Sequence, residues 1–330
     1  MITQQQVIDF LTSRDDLKIA SIEQKAGIPT TTLTYALKGR RKLKLEYLQR
    51  LEPILVGYGL NTTPTTLPSG NLFRAGRAHV ISIVNHKGGV GKTTTTINLG
   101  GALSRMGYRV LVIDSDSQGN LSQSLGIDEP SQQLLHALQL KNRIALPIHP
   151  ITETFALVPS DLELASFERD LLNSATGTIR LKAALEPVLT VYDFIIIDCP
   201  PALNVFTNAA LIASNSVLVV IEPEISAAKG LFNIYTLVAE ITELVNRELK
   251  LDGILFTKVN SRLAVHRAII SRVKEESDGV HCFETMIRLN TAIKESQYAQ
   301  TDVLSYSKSS AGAADYEAFA QEYINHLRAH

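Results

Sequence analysis

The stretch Val84-Asn85-His86-Lys87-Gly88-Gly89-Val90-Gly91-Lys92-Thr93-Thr94 reads as a phosphate-binding loop with one irregularity. The general pattern is G-x-x-x-x-G-K-[ST]. Gly91, Lys92 and Thr93 fit its end, but His86 stands where the first glycine belongs, and a second lysine, Lys87, follows it. A β-branched run (80–84) precedes the loop and a helical pattern (93–105, ending at Gly107) follows it, so a strand hands over to a helix here. Gly88, Gly89 and Gly91 free the backbone, Val90 included, to point successive N–H groups at phosphate oxygens, and the helix adds its positive end. Lys92 is then expected to reach the β- and γ-phosphates of ATP and Thr93 to ligate Mg²⁺, with Thr94 closing the cradle.

Working outward, short apolar runs recur at 109–113, 193–197, 217–221 and 254–257, several of them apolar on both faces. Helical patterns at 178–189, 228–247 and 262–276 lie between them. Strand–helix alternation of this kind predicts an α/β fold, a doubly wound and mostly parallel sheet. Residues 1–57 read as helical throughout, so a small all-helical domain is expected first. A linker at 58–78, with Pro64 and Pro68 among glycines and threonines, then leads to the P-loop domain at 79–330.

Such a loop needs an acidic group at a second strand end to hold the metal through water. The run Tyr192-Asp193-Phe194-Ile195-Ile196-Ile197-Asp198 supplies Asp198, followed by Cys199-Pro200-Pro201. A third strand end carries Asp114-Ser115-Asp116-Ser117-Gln118-Gly119-Asn120, which can place a carboxylate near a γ-phosphate and its attacking water. Each segment alone reads as an ordinary turn; beside the loop, three together read as one site.

The combination K-G-G-x-G-K-[ST], D-x-D-x-Q-G-N and a strand ending D-x-P-P resembles the ParA group of deviant Walker-A ATPases, relatives of MinD. The likeness runs over about 79–325, through Leu157-Val158-Pro159-Ser160, Glu222-Pro223-Glu224, Lys229-Gly230-Leu231 and the stretch Thr285 to Glu295. It implies that Lys87 reaches across an ATP-sandwich homodimer to the other subunit's phosphates, that Asp116 positions water, and that Asp198 holds Mg²⁺ indirectly. Catalytic roles thus fall to Lys87, Lys92, Asp116 and Asp198, and nucleotide contacts to the loop with Pro223, Glu224 and Asn290. There are two departures: relatives often read I-P-R-N-V-R-L-S-E where this chain reads Ile287-Arg288-Leu289-Asn290-Thr291-Ala292-Ile293-Lys294-Glu295, and His86, read only as a polar loop residue, stands where they commonly have glutamine.

Residues 18–38 look like a helix-turn-helix, with Ser21-Ile22-Glu23-Gln24 fitting a capping box, Gly27 ending the first helix and Ile28-Pro29 in the turn. The second helix would offer Thr31, Thr32, Thr34 and Tyr35 to a major groove, with Lys38, Arg40, Arg41 and Lys42 for phosphates. Glu23 stands where many such motifs keep a small alanine. A second basic set, including Arg262, Arg267 and Arg272, lies in and before a later helix, though not all on one face, and the resemblance implies sequence-independent DNA binding there.

The formal charge of −1 over 330 residues confines any nucleic-acid surface to local patches. Two distant cysteines, Cys199 and Cys282, read as free thiols in a reducing compartment and make no cluster-ligand pair. No leader or spanning run is visible, and the acidic C-terminal stretch suits packing onto the domain better than a lipid surface. The expectation is a cytoplasmic, nucleoid-associated partition ATPase with a ParB-type partner and an operator-binding module. An ATP-switched transcription regulator, or a positioning ATPase for other cargo, stays open.

Overall fold

In this computed structural model the chain divides into two compact units, Met1–Pro68 and Ser69–His330. The structure describes residues 4–12, 14, 17–37, 43–58, 76–139, 145–225, 227–277 and 279–329. In the first unit, α1 (Gln4–Thr12), α2 (Ile19–Ala26), α3 (Thr32–Leu37) and α4 (Leu45–Gly57) bury Val7, Leu11, Ile22, Leu33, Leu51 and Leu55 among themselves. Gly27 ends α2 in the left-handed region (φ 61°), its N–H bonded back to the Gln24 and Glu23 carbonyls.

Two expectations for this unit need correcting. The capping box at Ser21 does not form, because α2 begins at Ile19 and Lys18 is its N-cap. Glu23 instead caps the next helix: its buried carboxylate accepts from Thr31 N (3.0 Å) and Leu33 N (2.7 Å). Those donors are orphans of the α3 N-terminus, where negative charge is favoured. The bond also holds Thr31 at φ 71°, a conformation that costs a β-branched residue about 1–2 kcal/mol. Thr32 is fully buried rather than groove-facing, whereas Thr31 and Tyr35 are exposed and Thr34 is half-buried. Lys38, Arg40, Arg41 and Lys42 lie outside the described residues.

The second unit is built on β1 (His79–Val84), β2 (Val110–Asp114), β3 (His149–Pro150), β4 (Phe155–Val158), β5 (Phe194–Asp198), β6 (Ser216–Ile221) and β7 (Lys250–Phe256). Their order is β3-β4-β2-β5-β1-β6-β7, parallel throughout except for β3 against β4. Runs apolar on both faces can be buried only as covered inner strands, and β2, β5 and β6 are buried at every position. The expected α/β fold is the one observed. The sequence pattern did not mark β3 and β4, which are too short for periodicity to register.

Helices cover both faces. α5 (Lys92–Arg105) opens from the loop, and the short helices α6 (Asn120–Ser124), α7 (Leu134–Leu138), α8 (Glu163–Ser166), α9 (Glu168–Leu172) and α10 (Arg180–Leu185) follow. The helix expected at 178–189 is split, with 3₁₀ turns at Gly177–Ile179 and Glu186–Val188 on either side of α10 and Pro187 inside the second turn. Then come α11 (Val205–Ala213), α12 (Ala227–Leu244), α13 (Ala264–Glu276), α14 (Thr291–Tyr298), α15 (Val303–Tyr306) and α16 (Ala311–Ala329). The C-terminal stretch packs onto the domain as expected, with Tyr316, Phe319, Ala320, Tyr323 and Ile324 of α16 buried.

This C-terminal layer braces α5. Gln297 Nε2 donates to Thr94 Oγ1 (3.1 Å), Val303 N donates to Asn98 Oδ1 (2.7 Å), and the Thr95 and Tyr316 hydroxyls are 3.3 Å apart. Thr94, Thr95 and Asn98, polar side chains on a largely buried helix, thereby find partners.

The Glu23 bonds yield the first prediction. Glu23→Ala should reduce hydrogen-exchange protection of the Thr31 and Leu33 amides by about 1–3 kcal/mol, the cost of orphaned buried donors. The β1 and β5 amides should stay unchanged; equal loss in both units would contradict this assignment.

Candidate nucleotide site

β1 lies between β5 and β6, and the chain leaves these strands in opposite directions across the sheet. A crevice forms at the carboxyl ends of strands where the order reverses, and the glycine-rich loop opens there. Gly89 (φ 76°) and Gly91 (φ 100°) take left-handed conformations that other residues avoid. Val90 is buried and its carbonyl accepts from Thr257 Oγ1 (2.6 Å), so the trailing limb is pinned to the residue just after β7.

Lys92, first residue of α5, is 7% exposed, and its ammonium donates to the Lys87 carbonyl across the loop (3.1 Å). Burial lowers its pKa, with the nearby Asp198 charge opposing. Thr93 Oγ1 donates to Asp198 Oδ2 (2.6 Å), and Thr96 Oγ1 lies 3.5 Å from the other oxygen. Asp198 is 1% exposed, and burial raises its pKa to about 7, against the Thr93 bond and Lys92. Hydroxyl, carboxylate and buried ammonium therefore converge at the positive end of a helix. They fit a phosphate chain and a hard divalent cation that keeps most of its waters. Among the described residues no group of three or more His, Cys, Asp and Glu could hold a metal by itself.

Asp114 and Asp198 stand opposite each other in the β2–β5 register. Asp114 is fully buried, accepting from Ser122 N (2.9 Å), Ser122 Oγ (2.7 Å) and Asp116 N (3.2 Å). Burial, reinforced by Asp198, raises its pKa to about 8. Asp114 is thus a brace for the turn, and Asp116 is the half-buried carboxylate of the pair, with Oδ1 accepting from Gln118 N (3.0 Å).

The leading limb of the loop is tied to the β6–α12 side. Asn85 Nδ2 donates to the Val220 carbonyl (2.7 Å) and its Oδ1 accepts from Lys87 N (2.9 Å). The Lys87 ammonium is ion-paired to the Glu224 carboxylate. Pro223 is buried beside it, and Glu222 pairs with Lys258 (3.0 Å). The sequence reading missed Asn85, Thr257 and Gln297, whose partners lie far along the chain.

Other expected residues are engaged elsewhere. The Thr94 side chain is bonded to Gln297 as described, and Asn290 Oδ1 caps α14 by accepting from Ala292 N (2.9 Å). Arg288 is paired with Asp315 of α16 (2.6 Å). In the second basic set Arg272 pairs with Glu276 (2.7 Å) and Lys274 with Glu284 (3.1 Å). Arg262 and Arg267 are exposed, the latter donating to the Ser261 carbonyl (2.6 Å). Both cysteines are free thiols, and burial pushes Cys199 up to about 12, leaving it inert. Among the described residues no helix is long and apolar enough to cross a membrane.

A family model described as an AAA domain matches residues 78–251. The sporulation initiation inhibitor protein Soj of Bacillus subtilis is 36% identical over 247 residues, covering 74% of this chain and 97% of that protein. The chromosome partitioning protein ParA of Caulobacter vibrioides is 34% identical over 254 residues, covering 76% and 95%. Among solved structures, a cobyrinic acid a,c-diamide synthase from Mycobacterium smegmatis aligns with a TM-score of 0.64 at 31% identity, covering 74% of this chain and 93% of that one. It has been solved with ADP and magnesium and with an ATP analogue and magnesium. The converging hydroxyl, carboxylate and buried ammonium of this site suit ligands of that kind, a phosphate chain with a hard divalent cation.

Removing the buried ammonium tests the assignment. Lys92→Ala should weaken binding of a fluorescent ATP analogue with Mg²⁺ by about 1.5–3 kcal/mol, roughly 10- to 150-fold. Affinity within two-fold of the unmodified protein would sink it.

Proposed function

Because the chain belongs to the ParA family of P-loop ATPases, we propose that it is a DNA-partition switch that closes as a homodimer around two ATP molecules. The observation that carries this reading is Lys87. One subunit's phosphates already have Lys92, yet a second lysine stands at the mouth of the loop, half-buried and held by Glu224. In a face-to-face dimer, two triphosphates bring many negative charges together. Lys87 then exchanges the Glu224 carboxylate for the partner's phosphates, which ties association to the γ-phosphate.

Hydrolysis of ATP to ADP and phosphate asks mainly for positioning and charge neutralisation. Lys92 and the loop amides orient the phosphates; Thr93 and, through water, Asp198 would hold Mg²⁺, which would supply neutralisation of phosphate charge there. Asp116 orients the attacking water from its turn. The dimer binds DNA without sequence preference through exposed cations such as Arg262 and Arg267. DNA binding places the protein on the nucleoid, and a ParB-type partner stimulates hydrolysis and so releases it.

The N-terminal unit is proposed as an operator-binding helix-turn-helix, through which the protein represses its own operon. Thr31 and Tyr35, exposed on and beside α3, and the basic run at 38–42 support it. Thr32 is withdrawn from that surface.

Gel shifts on random duplex test this reading. ATP with Mg²⁺ should be required for binding, and binding should weaken steeply with salt. Changing Arg262 and Arg267 together to alanine, which removes both from each subunit of the dimer, should reduce the slope of log K against log salt by about 4, at roughly 0.9 per phosphate contact. ATP-independent binding, or an unchanged slope, would count against it.

A further inference from the structure

We propose that His86 is a positioning residue: it seats its imidazole on the bare Cα of Gly230, in the first turn of α12, and so sets the direction of Lys87. A Cβ placed on Gly230 would lie 2.2 Å from His86 Cε1 and 2.6 Å from Nδ1, distances no real Cβ shows. The ring occupies the space a side chain would fill. Glycine within a helix costs stability relative to alanine, so the position needs a reason, and the seated ring supplies one.

The contact belongs to a row. Three successive residues of the leading limb attach to the same side of the fold: Asn85 to the Val220 carbonyl, His86 to Gly230, and Lys87 to Glu224. Asn85 also accepts from the Lys87 amide. With its two predecessors held, Lys87 leaves the turn along one direction, over the segment that carries Glu224. The apolar side chains of Ile225 and Phe232 on this segment are exposed. His86 itself is exposed, and its effect passes through Lys87.

This inference rests on the two-subunit reading of Lys87. The measurement is the dimer dissociation constant of the full chain by sedimentation, with a non-hydrolysable ATP analogue and Mg²⁺. Thermal stability and nucleotide affinity are followed in parallel. In Gly230→Ala the clash falls on the tip of an exposed ring, which can swing away, so Tm should hold or rise and nucleotide affinity should stay within two-fold. Dimerisation should nevertheless weaken by about five-fold or more, as should that of His86→Ala. The double variant should be no worse than His86→Ala alone, because the ring that the new methyl displaces is already gone.

A Gly230→Ala protein that dimerises at full strength, or additive effects in the double variant, would overturn the assignment. Lys87→Ala is the control. If it dimerises like the unmodified chain, the two-subunit reading fails. If it is weakened while the His86 and Gly230 variants are not, only the role of His86 fails.

Discussion

The structure turns on a lysine and a carboxylate withdrawn from water at the tip of α5. Lys92 and Asp198 are nearly fully buried, and burial pushes each toward its neutral form, lowering the lysine and raising the carboxylate to about 7. They are held there because β5 delivers Asp198 beside β1 in register, Ile83 opposite Asp198, while α5 begins directly after the loop. A phosphate chain with Mg²⁺ supplies the opposite charges that each group lacks. Burial that costs stability in the free protein becomes binding strength, since a desolvated charge meets its ligand without first shedding water.

Holding such a tip requires a firm base, and much of the rest of the chain provides it. α14, α15 and α16 contribute Gln297, Val303 and Tyr316 to the polar face of α5. Thr257 pins the trailing limb, and Asn85 pins the leading one. Asp114, buried with its carboxyl raised to about 8, fixes the turn that presents Asp116. The residues that act stand at the ends of strands, and those that hold them come from all over the sequence.

That division explains what could be read in advance. The glycine-rich loop, the strand ending in Asp198 and the Asp114–Asn120 turn are local: their chemistry and their spacing sit in one short stretch each. The inner strands were visible because a run apolar on both faces has one physical destination. Glu23 was not readable as a cap, since its partners at Thr31 and Leu33 become neighbours only once Gly27 turns the chain. Thr32 and Arg272 looked available until burial in one case and Glu276 in the other took them. His86 looked like an idle polar residue, because its contact is with a glycine 144 positions along, which offers no chemistry to recognise. β3 and β4 were too short to leave a pattern.

The central claim is that Lys87 works on the neighbouring subunit's nucleotide while Asp116 works on its own. Mixing two variants that are each impaired, Lys87→Ala and Asp116→Ala, measures this directly by the rate of phosphate release. In a mixed dimer one of the two sites keeps its own Asp116 and receives Lys87 from the other subunit. The mixture should regain turnover that neither variant shows alone. Turnover no greater than the sum of the separate rates would contradict it.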